Sequence, residues 1–278
     1  MIRSLLYVPG NTPKFLEKAA ARGADAIIID LEDAVPEAGK TAAREALATW
    51  VPRCAEGGAQ VFVRVNMGER LVEDALAATR AGADALYLPK VSSAGLLEDL
   101  DRRLAVIETD RDPIGFVPLI EDPEGLFEAR AIARGPRVIA LSAGGEDLAT
   151  AMGAKPTPEV LRMPKLMIHY AAKAAGVMSF GLFRSTADFS DTAAIRAAAL
   201  EARDFGFDGA SCIHPAVVPV LNEAFAPTEA EIDWARRVVA ANAAEAAAGR
   251  GAFTLDGRFI DAPIVTRAER LLARCPQD

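Results

Sequence analysis

Apolar residues in this chain gather in short unbroken runs rather than in strict alternation. Residues 4–8, 26–31, 61–66, 85–88, 114–120, 138–142, 177–180 and 210–213 read as strands. Continuous apolarity is expected of parallel strands that are covered on both faces. Between them lie helix-length segments at 13–22, 40–50, 71–80, 95–107, 123–133, 158–175 and 192–204. Strands alternating with crossover helices predict an α/β fold, a (β/α)8 TIM barrel over residues 1–222. Residues 223–278 are expected to add a C-terminal helical and flap extension: a long Ala-rich helix at 229–248, an extended turn-containing flap at 249–263 and a final helix at 265–273. That extension exceeds what closing a barrel requires, so it is expected to cover a site or a neighbouring subunit. The quartets Gly23-Ala24-Asp25-Ala26 and Gly82-Ala83-Asp84-Ala85, with Gly206-Phe207-Asp208-Gly209 as a looser copy, each close a helix and open a strand. They read as structural turns on the face opposite the site.

The strand ends carry the chemistry. One run stops at Asp30-Leu31-Glu32-Asp33, and another carries Arg64 before Asn66. Others stop at Pro89-Lys90, at Glu121-Asp122-Pro123 and at Ser142-Ala143-Gly144-Gly145-Glu146-Asp147. In a parallel barrel such ends converge on one face, where barrel active sites lie.

Glu121 and Asp147 end neighbouring strands. Either they hold a hard cation such as Mg²⁺, which takes one or two protein carboxylates, or they are acids favoured at helix N-termini. Gly144-Gly145 lets backbone N–H groups approach a ligand beside Glu146. Arg64 lies within a strand, either ion-paired to Asp30 or Glu32 or placed to stabilise an oxyanion; the second reading is preferred because it is near the strand's C-terminal end. Asp30, Glu32 and Asp33 are expected to orient Arg64 or metal-bound water. Lys90 is a second rim cation, to be read equally as functional or as a solvated lysine. His169 reads as structural, and His214 as a loop anchor or a site residue. Asp261 alone would be an ordinary loop acid.

Bulk properties exclude some classes. The 278 residues are 51% hydrophobic with a formal net charge of -8, so no global field favours nucleic acid or an anionic membrane. Three cysteines far apart in sequence and two histidines argue against a disulfide framework, a His-rich zinc site or a hydrolase triad. No signal peptide or membrane span is expected, and a reducing cytoplasm is.

Taken in order, Arg3-Ser4-Leu5-Leu6-Tyr7-Val8-Pro9-Gly10, Leu31-Glu32-Asp33-Ala34-Val35, Val63-Arg64-Val65-Asn66, Leu88-Pro89-Lys90, Leu119-Ile120-Glu121, Gly144-Gly145-Glu146-Asp147-Leu148-Ala149, Cys212-Ile213-His214-Pro215 and Asp256-Gly257-Arg258-Phe259-Ile260-Asp261-Ala262-Pro263 resemble the citrate lyase β-subunit-like family, which includes malyl-CoA and citramalyl-CoA lyases. The resemblance spans essentially the whole chain. It implies a Mg²⁺-dependent (or Mn²⁺-dependent) carbon–carbon lyase that cleaves or condenses a β-hydroxyacyl-CoA, with acetyl-CoA and a small 2-oxo acid as partners and coenzyme A as part of the substrate. It implies a homotrimer or hexamer. It makes Glu121 and Asp147 the metal ligands, Arg64 the oxyanion-binding residue, and Asp261 the acid/base, reaching a neighbouring subunit's site. It places Arg3 and Lys14 where relatives often meet CoA. The segment Arg162-Met163-Pro164-Lys165-Leu166-Met167-Ile168-His169-Tyr170 departs from the family pattern near where the acyl part is chosen. Three rival readings are weighed: a metal-dependent aldolase of free 4-hydroxy-2-oxo acids, an acyl-CoA thioesterase and a non-catalytic binding subunit. The strand-two loop lacks the aldolases' His, and all four proposed functional residues are present.

Overall fold

The computed structural model describes residues 1–108, 112–185, 187 and 189–275. The chain divides into two compact units, Ile2–Phe225 and Ala226–Asp278, with Met1 grouped with the second.

The first unit is the α/β barrel. Its strands are β1 (Ser4–Pro9), β2 (Ala26–Asp30), β3 (Gln60–Arg64), β4 (Ala85–Leu88), β5 (Gly115–Ile120), β6 (Ala140–Ala143), β7 (Met178–Phe180) and β8 (Ala210–Cys212). They pair in parallel in the order β7-β6-β5-β4-β3-β2-β1-β8, and a parallel bridge between Phe180 and Gly209 brings the two edges together. The helices are α1 (Pro13–Ala19), α2 (Lys40–Glu45), α3 (Leu47–Ala55), α4 (Leu71–Ala81), α5 (Ala94–Leu104), α6 (Pro123–Ile132), α7 (Gly145–Ala151), α8 (Pro158–Ala175), α9 (Thr192–Phe205) and α10 (Val218–Phe225).

Alternate strand residues face opposite ways. Leu6, Val8, Ile27, Ile29, Val61 and Val63 join the large core with the helices. Leu5, Ile28, Phe62, Tyr87, Val117 and Phe180 fill the barrel interior. Two clusters on opposite faces of one sheet explain why each strand reads as continuously apolar.

The Gly-X-Asp quartets are explained at the N-terminal ends of the strands. Asp25 accepts the Arg3 backbone N–H at 2.7 Å, Asp84 that of Val61 at 2.7 Å, and Asp208 that of Ser179 at 2.9 Å. Each Asp therefore satisfies a donor at the start of the preceding strand. The glycine before it ends a helix in the left-handed region, as Gly82 does at φ 87°.

Two helices differ from expectation. The segment expected as one helix at 40–50 divides at Ala46 into α2 and α3. An additional helix, α7, follows β6, with Gly144 as its N-cap and Gly145 as its first residue.

In the second unit, α11 (Glu229–Ala247) begins with a capping box between Thr228 and Glu231. A hairpin of β9 (Phe253–Leu255) and β10 (Arg258–Ile260) follows. Its turn residues Asp256 and Gly257 both have positive φ (51° and 75°), as type I′ turns require. Helix α12 (Ala262–Leu272) starts three residues before the expected 265, because Asp261 is its N-cap and Pro263 sits in its first turn. Ala235, Val238, Ile260, Val265 and Ala268 form this unit's own core. No helix among the described residues is long and apolar enough to cross a membrane.

Candidate active site

The site is built from barrel-interior positions carried one step further along each strand. Leu5, Ile28 and Phe62 point inward, so Tyr7, Asp30 and Arg64, two residues on, point the same way. The register Pro9–Asp30, Asp30–Arg64 and Arg64–Tyr87 sets these ends side by side. Glu121 follows Leu119, and Ser142 follows Ala140, in the same manner. Above them opens a cavity of ≈ 470 Å³, lined among others by Tyr7, Asp30, Arg64, Glu121, Asp147 and Lys165.

Glu121 is buried. Its Oε2 accepts the Lys90 backbone N–H at 2.8 Å, which is aimed by a left-handed Lys90 (φ 52°). Its Oε1 lies so near Gly144 that a Cβ there would stand 2.2 Å away. Only a glycine leaves room for the carboxylate at this point. Capping of α6 falls to the next residue: Asp122 accepts the Gly125 N–H at 2.7 Å and the Ser92 hydroxyl at 2.6 Å. Glu121 is therefore not the helix-capping acid. Asp147 reaches the same cavity from the first turn of α7.

Burial pushes the Glu121 carboxyl up to about 7, and the negative fields of Asp147 and Glu32 add to it. A buried carboxyl beside a second carboxylate suits a hard divalent cation, with water and substrate oxygens completing its shell. Among the described residues no group of three or more His, Cys, Asp or Glu forms a metal cluster. Glu121 and Asp147 are the two carboxylates of this cavity that would be available to a hard cation.

A pH dependence follows, with its sign set by the raised value. Without cation, Glu121 keeps its proton below about pH 7, whereas unfolded Glu releases it near 4.5. Ionising it in place costs about 3 kcal/mol of stability, lost as pH rises through that window. A cation takes the ionised form, so its affinity should fall roughly tenfold per unit below pH 7. Thermal unfolding with and without Mg²⁺ should show a large Tm rise at pH 8 and little at pH 5.5.

Arg64 is both ion-paired and part of the cavity. Its Nε and Nη2 donate to Asp30 at 2.7 Å each. Nη1 lies 3.1 Å from Glu32 and 3.5 Å from Asp33. The guanidinium stands 5.0 Å over the Tyr7 ring. Asp30 is itself fixed by the Glu32 and Ala34 N–H groups. Asp30, Glu32 and Asp33 therefore surround the Arg64 cation, and Lys90 Nζ donates to Glu32 at 2.8 Å.

Glu146, in the first turn of α7, accepts the Ser185 hydroxyl, tying that helix to the segment after β7. Lys165, on α8, is a site residue that the sequence does not announce. It is buried, and that burial pulls its ammonium down to about 8.

Other expected residues lie elsewhere. Arg3 sits at the N-terminal end of β1 in a bidentate pair with Asp25, at 2.8 Å for both contacts. That is the face opposite the cavity; the motif containing it runs from one end of the strand to the other. Lys14 is exposed in the first turn of α1, which follows β1 on the cavity's side. His214 is a loop anchor: its Nδ1 accepts the Ala216 N–H, and its ring stacks on Phe189. His169 stacks on Phe207 within the helical layer. Asp261 belongs to the second unit, where its side chain makes no capping bond to α12.

Comparison with known proteins bears on this site. The family model described as HpcH/HpaI aldolase/citrate lyase matches residues 3–215. The citrate lyase β subunit of Escherichia coli K12 is 34% identical, over 98% of this chain and 92% of its own. A (3S)-malyl-CoA thioesterase of Cereibacter sphaeroides is 35% identical, over 98% and 94%. The protein CitE of Mycobacterium tuberculosis, solved with magnesium, acetoacetate and coenzyme A, superposes with a TM-score of 0.77 at 32% identity, covering 98% of this chain and 97% of that one.

Proposed function

Because the chain belongs to the HpcH/HpaI aldolase/citrate lyase family, we propose that it is a Mg²⁺-dependent carbon–carbon lyase that cleaves a β-hydroxyacyl-CoA, such as malyl-CoA or citramalyl-CoA, into acetyl-CoA and a 2-oxo acid, or runs the reverse condensation. The observation that carries this reading is the convergence of Glu121, Asp147 and Arg64 on one cavity. A CitE relative that binds magnesium, acetoacetate and coenzyme A supports it.

Glu121 and Asp147 would hold the cation. When bound, Mg²⁺ supplies Lewis-acid polarisation of the oxygens of the chelated hydroxy or oxo acid. Arg64 offers a fixed guanidinium to the thioester oxygen as it gains enolate charge. Asp30 holds that guanidinium so that little reorganisation is needed as charge develops. Gly144 and Gly145 let the acid approach the backbone beside Glu146. Asp261, supplied by a neighbouring subunit, delivers the proton to the enolate carbon in cleavage and removes it in condensation. Lys14, exposed in the first turn of α1, is the proposed contact to coenzyme A.

A second reading is favoured by the 35% identical malyl-CoA thioesterase: the same residues polarise the thioester, and water attacks it. Mass spectrometry of acetyl-CoA incubated with glyoxylate or pyruvate and Mg²⁺ separates the two. A lyase yields an acyl-CoA heavier by the mass of the oxo acid. A thioesterase yields no adduct, and releases free CoA with the intact hydroxy acid when malyl-CoA or citramalyl-CoA is supplied instead.

A further inference from the structure

Lys165 is a buried cation whose charge the mechanism above does not use. It is 4% exposed, in the middle of α8. Its Nζ donates to the Leu182 carbonyl at 2.7 Å and the Arg184 carbonyl at 3.0 Å. An ammonium has three donors, and these carbonyls take two. Among the described residues no carboxylate forms an ion pair with it. The one acid whose field favours its charge is Glu146, whose carboxylate is already bonded to Ser185. An ammonium taken out of water without a counter-charge is costly, so an anion is the missing partner.

The position shows where that anion sits. Lys165 lines the same cavity as Glu121 and Asp147. A Cβ on Gly145 would lie 3.4 Å from Lys165 Nζ, and one on Gly144 would lie 2.2 Å from Glu121 Oε1. Gly144 and Gly145 are consecutive, with Cα atoms about 3.8 Å apart. The cation and the proposed metal-ligand acid therefore lie beside consecutive residues of one stretch of backbone at the wall of the same cavity.

We infer that Lys165 is a specificity-determining residue that binds the carboxylate of the 2-oxo acid through its third N–H, on the far side of that carboxylate from the metal. The inference rests on the proposed function and deepens it. It explains why a charged side chain is held rigidly by two carbonyls at the cavity wall: the carbonyls orient the ammonium and leave one donor for substrate. The site then selects acids over their neutral analogues.

The test compares Mg²⁺-dependent binding of pyruvate and pyruvamide by titration calorimetry, in wild type and in Lys165→Gln. Gln retains amide donors for the two carbonyls and removes the charge, and Lys165→Met serves as a second variant. Wild type should bind pyruvate at least roughly tenfold tighter than pyruvamide, and Lys165→Gln should lose most of that preference. A role confined to supporting the loop would weaken both ligands by the same factor and overturn the inference. An unchanged preference with Mg²⁺-dependent binding intact overturns the inference and leaves the lyase reading standing. Failure of wild type to bind either pyruvate or glyoxylate in the presence of Mg²⁺ overturns both. Borohydride reduction with pyruvate should leave the protein mass unchanged; a trapped adduct on Lys165 would make it a nucleophile instead.

Discussion

Glu121→Gln should abolish Mg²⁺-dependent turnover, lowering kcat roughly a thousandfold or more, while leaving the fold intact. Gln has the same shape and accepts the Lys90 N–H as the carboxylate does. What it lacks is the charge proposed to hold the cation. Metal-ion stabilisation of a transition state is worth several kcal/mol, and each 1.36 kcal/mol is a decade in rate. The cation-free variant should also be more stable than cation-free wild type above pH 7. Burying a neutral amide avoids the cost of ionising a carboxyl held at about 7. Loss of activity with a gain in Tm would separate this residue from an ordinary structural one. Kinetics and thermal melts with and without Mg²⁺ read both. A variant that keeps Mg²⁺-dependent turnover would remove Glu121 from the metal site.

Arg64→Lys should cost about a hundredfold or more in kcat with a smaller change in KM. The ammonium retains the charge but not the planar fork that meets Asp30 at 2.7 Å through two nitrogens. A point charge on a flexible stem is not held where the enolate oxygen forms. Removing one oriented donor to an oxyanion typically costs about 10²- to 10³-fold. Some stability should fall too, because Asp30 and Glu32 are buried and lose their best partner. Asp30→Asn provides the control. It leaves Arg64 charged and bonded but less rigid, so its loss of kcat should be smaller. Equal losses of kcat and Tm across both variants would make the pair a structural bridge alone.

Much of this site is legible in the amino-acid order because a barrel places its chemistry at strand ends. The acids after residues 26–29 and 116–120 interrupt apolar runs, and the structure brings Asp30, Arg64, Glu121 and Asp147 to one cavity. The placement of Arg64 is harder to read. Sequence offers an ion pair or an oxyanion site as alternatives, and in the structure the guanidinium is ion-paired to Asp30 while also lining the cavity. Arg3 is misplaced by its motif, which runs the length of a strand and has two ends, only one of which faces the cavity. Lys165 is hidden by its helix. At helical spacing among Leu161, Ile168 and Ala172 it occupies a buried position, and nothing local marks it as turned towards a cavity. Helix α7 is hidden by the two glycines at its start. The role of Lys90 is legible in part: its side chain does reach Glu32, but the contact to Glu121 is made by its backbone N–H, which a side-chain reading does not weigh.

The most direct test of the account is a cleavage assay on malyl-CoA and citramalyl-CoA, run with Mg²⁺ and with EDTA, with both halves of the substrate identified. Acetyl-CoA together with glyoxylate or pyruvate is expected, abolished by EDTA and greatly reduced in Asp261→Ala. Free CoA with an intact hydroxy acid, or carbon–carbon cleavage that persists in EDTA, would contradict it.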